Sequence, residues 1–314
     1  MKAFVLAAGF GTRLRPLTDH TPKPLVPVCN IPCLFYTFSL LKQAGIRQII
    51  CNTHHHADAI KRYIESAELP DLDITFSVEP IILGTGGGLK KCEKLLDDGD
   101  FLLVNSDIIT DIDFAALIRH HRQSGRPGTL TLFETPDAGR IGHIGVEDGE
   151  AKDFRNLRGT GLHSSFIYTG TAVLSPEIFR FLKPEFSGIV DTGFTGLVEN
   201  GGLSYYRHEG VWMDIGTMAT YLGANLDRKS LIAAMAGPMT ESIGMAPHLL
   251  SPDAHISSDS QIEHSVIGSG CRIGPGCTIR NSVLLPGTQI PQGSTLIDSV
   301  VDPFNTISLE SVEQ

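Results

Sequence analysis

Nine aliphatic residues near the C-terminus recur in a register that few folds can hold. They are Ile256, Ile262, Ile267, Ile273, Ile279, Leu284, Ile290, Leu296 and Val301, at steps of 6, 5, 6, 6, 5, 6, 6 and 5. Every third member returns 17 residues later. A β-sandwich alternates at a period of two and does not keep such a register. A chain that coils with three faces per turn does keep it, because each aliphatic residue stacks on the one a turn earlier. The repeat predicts a short left-handed parallel β-helix of three coils over residues 250–303. Gly268, Gly274, Gly276 and Gly287 serve its corners, and Cys271 and Cys277 read as small packing residues.

The preceding sequence carries a different pattern. Segments 3–6, 47–51, 74–78, 101–104 and 129–133 read as strands, and segments 33–44, 57–64, 89–96 and 114–123 as helices. Strand and helix alternate with short connections, which predicts an α/β fold. Its mostly parallel, Rossmann-like sheet is covered by helices on both faces. Ligands of such sheets sit at the carboxyl ends of strands. Segments 144–146 and 151–154 flank Asp148-Gly149, a hairpin signal. A helix over 218–234 closes this part of the chain. The stretch 236–253, rich in Pro, Gly, Ser and Met, marks a boundary. The expected domains are therefore 1–240 and 250–303.

The first strand runs into Leu6-Ala7-Ala8-Gly9-Phe10-Gly11-Thr12-Arg13-Leu14-Arg15-Pro16-Leu17-Thr18, and on to Pro22-Lys23-Pro24-Leu25. Gly9 and Gly11 let the backbone turn tightly and approach a ligand. Successive backbone N–H groups in such a loop can cradle a phosphate. Arg13, Arg15 and Lys23 add positive charge. A dinucleotide fingerprint would need glycine at position 14, which is Leu14, and a P-loop would need Gly-Lys-Ser/Thr. Gly9-x-Gly11 alone reads as an ordinary turn; the whole segment does not.

Segment 6–25 matches without a break the pattern L-A-[AG]-G-x-G-T-R-L-x-P-L-T-x-x-x-P-K-P-L, and so resembles the sugar-1-phosphate nucleotidylyltransferases. The resemblance implies an enzyme that joins a nucleoside triphosphate to a sugar 1-phosphate. Arg13 would then neutralise the developing pyrophosphate and Lys23 hold a phosphate. Leu6, Ala8, Gly9, Gly11 and Thr12 would contact the nucleotide. Glu79 and the Gly-rich run Leu83-Gly84-Thr85-Gly86-Gly87-Gly88 resemble the family's L-G-T-A-G segment and its preceding Glu, whose backbone reads the nucleobase.

Asp107, after Asn105-Ser106, reads by itself as a turn cap. So does Asp214, in Trp212-Met-Asp-Ile-Gly-Thr217, which is similar to the family's W-x-D-[IV]-G-T. The resemblance implies that both carboxylates bind Mg2+. Trp212 taken alone is a core residue, and Asp111 and Asp113 read as turn and helix N-cap. Gly145 and Gly170 fall where the family's backbone approaches the sugar. The family's Glu-Lys-Pro is absent, and Arg155 is the expected substitute for its lysine. The whole-chain layout is similar to mannose-1-phosphate guanylyltransferases. The missing Glu-Lys-Pro and Leu6-Ala-Ala-Gly9 also resemble N-acetylmuramate-1-phosphate uridylyltransferases. GTP with mannose 1-phosphate is the first expected pair, and UTP the second nucleotide.

Composition narrows the partners. A net charge of −10 argues against nucleic acid, whose binders carry a basic face. None of the six cysteines forms Cys-x-x-Cys, and no apolar run reaches membrane-spanning length, so a cytoplasmic protein without a membrane partner is expected. His54-His55-His56 reads as a strand-to-helix loop rather than a metal site. The β-helix reads as an oligomerisation module, hence an expected homo-oligomer. A regulatory nucleotide-sugar binder would lose Arg13, Lys23 or the aspartates, and all four remain. An acyltransferase reading lacks a histidine in convincing context, with His255 and His264 weak candidates.

Overall fold

The computed structural model describes residues 1–67, 69 and 71–309. They form two compact units. One comprises Met1–Gly9 and Leu40–Trp212; the other comprises Phe10–Ser39 and the chain from Met213 onward.

The first unit is built on a nine-stranded sheet. Its strands are β1 (Lys2–Leu6), β2 (Gln48–Thr53), β3 (Asp73–Val78), β4 (Phe101–Asn105), β5 (Gly128–Glu134), β6 (Ile144–Glu147), β7 (Glu150–Phe154), β8 (Phe166–Leu174) and β9 (Ser204–His208). They lie in the order β3-β2-β1-β4-β8-β5-β9-β7-β6. Only β7 and β8 run against the others, so the sheet is mostly parallel as expected. Ala3, Phe4 and Val5 are buried, as a strand covered on both faces requires. Leu130 and Leu132 pack with Leu89, Leu96 and Phe4 on one face. Thr129, alternating with them, meets His121 of helix Phe114–Ser124 on the other, with Nδ1 at 2.9 Å from Oγ1. Helices therefore cover both faces.

The helix expected over 89–96 is corrected. Helix starts at Gly84, runs to Lys91, and resumes as Glu93–Leu96. The glycines are helical because residues 185–187 lie against them. Gly86 N–H donates to Ser187 O at 2.8 Å, and Ser187 N–H to Leu83 O at 3.0 Å. A Cβ on Gly87 would overlap the Glu185 carbonyl.

In the second unit, residues 10–39 form the 3₁₀ turns Thr12–Leu14, Leu17–Asp19 and Lys23–Leu25. A small antiparallel hairpin, Pro27–Val28 with Ile31–Pro32, follows. The single helix expected over 218–234 is two helices, Met218–Leu226 and Arg228–Ile243. The second runs through Pro238, so residues 236–243 are not a linker. The reason is a stripe at four-residue spacing. Leu231, Met235, Met239 and Ile243 are all buried, and a packed helical face outweighs one missing N–H.

The ladder forms as the repeat predicts. Ile256, Ile273 and Ile290 stack in one parallel sheet; Ile262, Ile279 and Leu296 in a second; Ile267, Leu284 and Val301 in a third. A final strand, Thr306–Ser308, pairs antiparallel with Ser299–Val301 and covers that sheet's edge. Cys271 and Cys277 are buried in the core of the coil, as expected.

Candidate active site

In the first unit, Leu6 at the end of β1 is in register with Asn52 of β2 and Asn105 of β4. Parallel strands send their outgoing loops to one edge, so polar residues converge there. Ser106 donates its N–H at 3.2 Å and its hydroxyl at 2.7 Å to Leu6 O. Buried Asn52 accepts the Ala7 N–H at Oδ1 (2.8 Å) and donates from Nδ2 to Glu79 Oε1 (2.7 Å). Glu79 Oε2 accepts the Leu83 N–H at 2.8 Å.

This relay ties the first glycine loop to the second Gly-rich stretch. A buried carboxylate is costly unless its oxygens are satisfied. Both oxygens of Glu79 accept bonds from within the chain. A Cβ on Gly88 would sit 2.6 Å from Glu79 Oε1 and 2.8 Å from Asn52 Nδ2, so glycine is needed for the relay to close. Ala8 is buried, whereas Gly9 is exposed and a Cβ there would meet nothing within 4 Å.

Gly84 has φ +68, and its Cβ direction is filled by Ser187 O at 2.5 Å. Thr85 Oγ1 accepts the Ile189 N–H at 2.8 Å. The glycines at 84, 86 and 87 thus accommodate the chain's own 185–189 segment. Half-buried Asp107 leads into the short strand Ile108–Thr110. Thr110 Oγ1 donates to Val211 O at 2.8 Å, and Asp111 Oδ1 accepts the Val211 N–H at 2.6 Å. Asp113 caps the next helix through the Ala116 N–H at 2.8 Å, as expected. Trp212 stacks on Phe133 at 5.6 Å and donates Nε1–H to Thr169 O at 3.1 Å. Gly170, with φ +86, lies where β8 slips register against β5; a Cβ there would be 2.8 Å from Asn105 Cγ. His54, His55 and His56 occupy the loop between β2 and helix Ala57–Ser66, and His54 Nδ1 lies 2.7 Å from Glu79 O.

On the side expected for the sugar, Gly145 packs against Leu162, whose Cβ would be 2.8 Å from a Cβ on the glycine. Exposed Arg155 reaches Asp191 with Nη2–Oδ1 at 2.8 Å. The turn after it is organised by Asp153, which is fully buried. Its Oδ1 accepts the Arg158 N–H at 3.0 Å, and its Oδ2 the Thr160 N–H and hydroxyl at 3.1 and 2.8 Å. Burial by itself raises the Asp153 carboxyl pKa, but the bonds from Arg158 and Thr160 outweigh it and hold the group below the usual carboxylate range.

The second unit holds Arg13, Arg15 and Lys23. Gly11 is left-handed, with φ +66, and begins the turn that carries exposed Arg13. A Cβ on Gly11 would lie 2.9 Å from Thr18 Cγ2 and 3.1 Å from Lys23 Cβ, so the stem of Lys23 abuts the loop. Thr18 fastens that contact with its hydroxyl on Gly11 O at 2.8 Å. Thr12 is exposed beside Arg13, and Arg15 pairs with Asp19 at 3.1 Å. Arg13 and Asp214 converge on Gly216. A Cβ there would be 2.9 Å from Arg13 Nη2 and 2.8 Å from Asp214 Oδ1.

Asn52, Asp153 and Gly216 carry this geometry, although none is assigned a role from the sequence. Asn52 had a signal, a polar residue directly after the apolar Ile49-Ile50-Cys51. Gly216 and Asp153 show their partners only in the fold.

Two family models match the chain. One, for nucleotidyl transferases, covers residues 2–230; the other, for a GlmU-like C-terminal hexapeptide region, covers 237–311. The chain is 33% identical over 226 residues to the mannose-1-phosphate guanylyltransferase catalytic subunit beta of Danio rerio, covering 71% of this chain and 63% of that protein. It is thus shorter than that relative, spanning under two thirds of its length. It is 31% identical over 282 residues to a probable mannose-1-phosphate guanylyltransferase 1 of Oryza sativa, covering 88% of this chain and 75% of the relative. Among solved structures, UDP-glucose pyrophosphorylase from Acinetobacter superposes with a TM-score of 0.63 at 21% identity, covering 72% of this chain and 93% of that one. HddC from Yersinia pseudotuberculosis complexed with GMP-PN gives 0.61 at 23%, covering 72% and 99%. At such identities the likeness establishes the fold.

Proposed function

The chain belongs to the nucleotidyl transferase family, and on that premise we propose that it transfers a nucleoside monophosphate from a nucleoside triphosphate to a sugar 1-phosphate, releasing pyrophosphate. GTP with mannose 1-phosphate is the favoured pair, supported by the names of the relatives at 31–33% identity. The observation that carries the reading is the convergence of Arg13 and Asp214 on Gly216, together with the packing of Lys23 on Gly11. It sets cations and a carboxylate around one glycine loop.

A phosphate oxygen of the sugar 1-phosphate attacks the α-phosphorus in line. The new oxygen–phosphorus bond forms as the bond to the β-phosphate bridge breaks, and pyrophosphate leaves with the electron pair. No protein nucleophile is needed, so the chain contributes positioning and charge. Arg13 faces the growing charge on pyrophosphate, and Lys23 holds a phosphate against the glycine loop. Arg155 serves the phosphate of the sugar. Asp107 and Asp214 are hard oxygen donors of the kind Mg2+ takes along with substrate phosphates and water. Bound there, Mg2+ would neutralise phosphate charge and polarise the α-phosphorus. We also place the protein in the cytoplasm, and as a homo-oligomer; light scattering of the full chain and of a β-helix deletion would test the oligomeric state.

The decisive assay is pyrophosphate release from five nucleotides against a panel of sugar 1-phosphates. Release with no pair overturns the reading, and turnover with dTTP at least as fast as with GTP and UTP overturns the base preference. Asp107→Asn and Asp214→Asn are expected to lower turnover at least about a hundredfold, roughly 3 kcal/mol in the transition state, with folding intact. Full activity in excess EDTA would remove the metal from the scheme.

A further inference from the structure

The hairpin of residues 27–32 is held by hydrogen bonds from several elements. Pro27 O accepts the Tyr221 hydroxyl at 2.7 Å, and Val28 O the Tyr36 hydroxyl at 2.8 Å. Both tyrosines are fully buried, and burial pushes both phenols up, so they stay protonated donors. The Cys29 N–H donates to Asn225 Oδ1 at 2.8 Å, and Cys29 O accepts the His248 N–H at 2.9 Å.

At the tip stands Asn30, left-handed with φ 65. Its amide nitrogen donates to two carbonyls, His248 O and Ile267 O, each at 3.1 Å. An asparagine amide has two donor hydrogens, and here each has its own acceptor. Ile267 is a ladder residue of the first β-helix coil, and its N–H and carbonyl also bond Leu249 O and the Ser251 N–H, at 2.7 and 3.0 Å. The other end of the hairpin leads directly to Lys23. Cys33 N–H donates to Val26 O at 3.1 Å, and Val26 N–H to Lys23 O at 3.2 Å. A continuous path of hydrogen bonds and backbone therefore runs from the coil through the hairpin to the turn that presents Lys23.

We infer that Asn30 is a positioning residue, clamping the hairpin tip to the first β-helix coil so that Lys23 is held ready for the phosphates of the nucleoside triphosphate. The inference rests on the role given to Lys23 above. It makes the first coil a working part of the nucleotide site. Because coupling between sites is reciprocal, nucleotide binding at Lys23 must in turn tighten the coil against the hairpin.

Two variants of the full chain separate the donor from the backbone. Asn30→Gly adopts the left-handed conformation freely and removes both hydrogen bonds. Asn30→Asp keeps the shape and tolerates that conformation, but sets acceptors against two carbonyls. The KM for the nucleoside triphosphate should rise roughly tenfold in Asn30→Gly, about 1.4 kcal/mol, and further in Asn30→Asp. The KM for the sugar 1-phosphate should stay unchanged. A general loss of structure would raise both. Hydrogen exchange gives a readout independent of turnover: a bound nucleoside triphosphate should slow the His248 amide in the native protein, and less so in Asn30→Gly.

An active native enzyme whose two variants keep the nucleotide KM, or raise both KM values alike, overturns the inference. So does a His248 amide indifferent to a nucleotide that binds. Absence of pyrophosphate release in the native protein refutes the proposed reaction instead, and the exchange measurement then decides the clamp alone.

Discussion

Gly216→Ala should separate catalysis from folding in a single methyl group. The glycine is buried and needs no left-handed backbone, so alanine can adopt its conformation. The new Cβ would lie 2.8 and 3.0 Å from the Asp214 carboxylate oxygens and 2.9 Å from Arg13 Nη2. Ordinary contact begins near 3.5 Å, so each tip must retreat by roughly half an ångström or more. Both obstacles are ends of side chains that can swing away, so the stability cost belongs at the low end of overpacking, about 1 kcal/mol. Catalysis has no such escape, because the displaced groups are Arg13 and its neighbouring carboxylate. A hydrogen bond to a charged group is worth about 1.5–3 kcal/mol, which corresponds to a fall in kcat of roughly ten- to 150-fold. Pyrophosphate release measures the rate, and thermal unfolding measures the fold. Gly87→Ala is the contrast: its Cβ would overlap the Glu185 backbone carbonyl, which cannot swing aside, so that variant should lose Tm first. Wild-type kcat in Gly216→Ala, or a loss of Tm as large as in Gly87→Ala, would refute the placement of Arg13.

Other perturbations test the supporting framework. Glu79→Gln turns an amide donor toward either Asn52 Nδ2 or the Leu83 N–H, and should cost about 1–3 kcal/mol in urea unfolding; an unchanged midpoint would mean that the relay carries no energy. Asp153 has a folded pKa below its unfolded one, so its contribution is complete above the usual carboxylate range and lost as pH falls through the folded value. Stability should accordingly drop on acidification below about pH 4, and Asp153→Asn should flatten that drop; parallel curves would contradict it. Ile279→Ala, in the middle of its ladder and fully buried, should destabilise the coil by about 2–5 kcal/mol, read as an earlier unfolding transition.

How much of this was legible in advance depended on how far apart the interacting residues lie. The ladder from Ile256 to Val301 could be read completely, because every coil imposes the same constraint and the period alone names each stacking partner. Central strands of the sheet were legible because burial on both faces demands apolar runs such as Ala3 to Val5, whereas β8 and β9 were not read from the sequence. The helix Arg228–Ile243 was obscured because Gly237 and Pro238 suggest a linker, while the stripe through Met235 and Met239 has meaning only against something packed on it. The glycines at 86 and 87 are obscured in the same way. Locally they signal a loop, but a segment 100 residues later fills the space they leave and makes them helical.

The sequence by itself determined the two repeating patterns, the glycine loop and its cations, because those follow from backbone preference and periodicity over a few residues. Tertiary structure alone decided that Glu79 is bonded from both sides within the chain, that Arg13 and Asp214 converge on Gly216, and that Asn30 grips the first coil. Those contacts depend on distance and hydrogen-bond direction between residues far apart in the chain. No local preference encodes such distances; they exist only once the chain has folded.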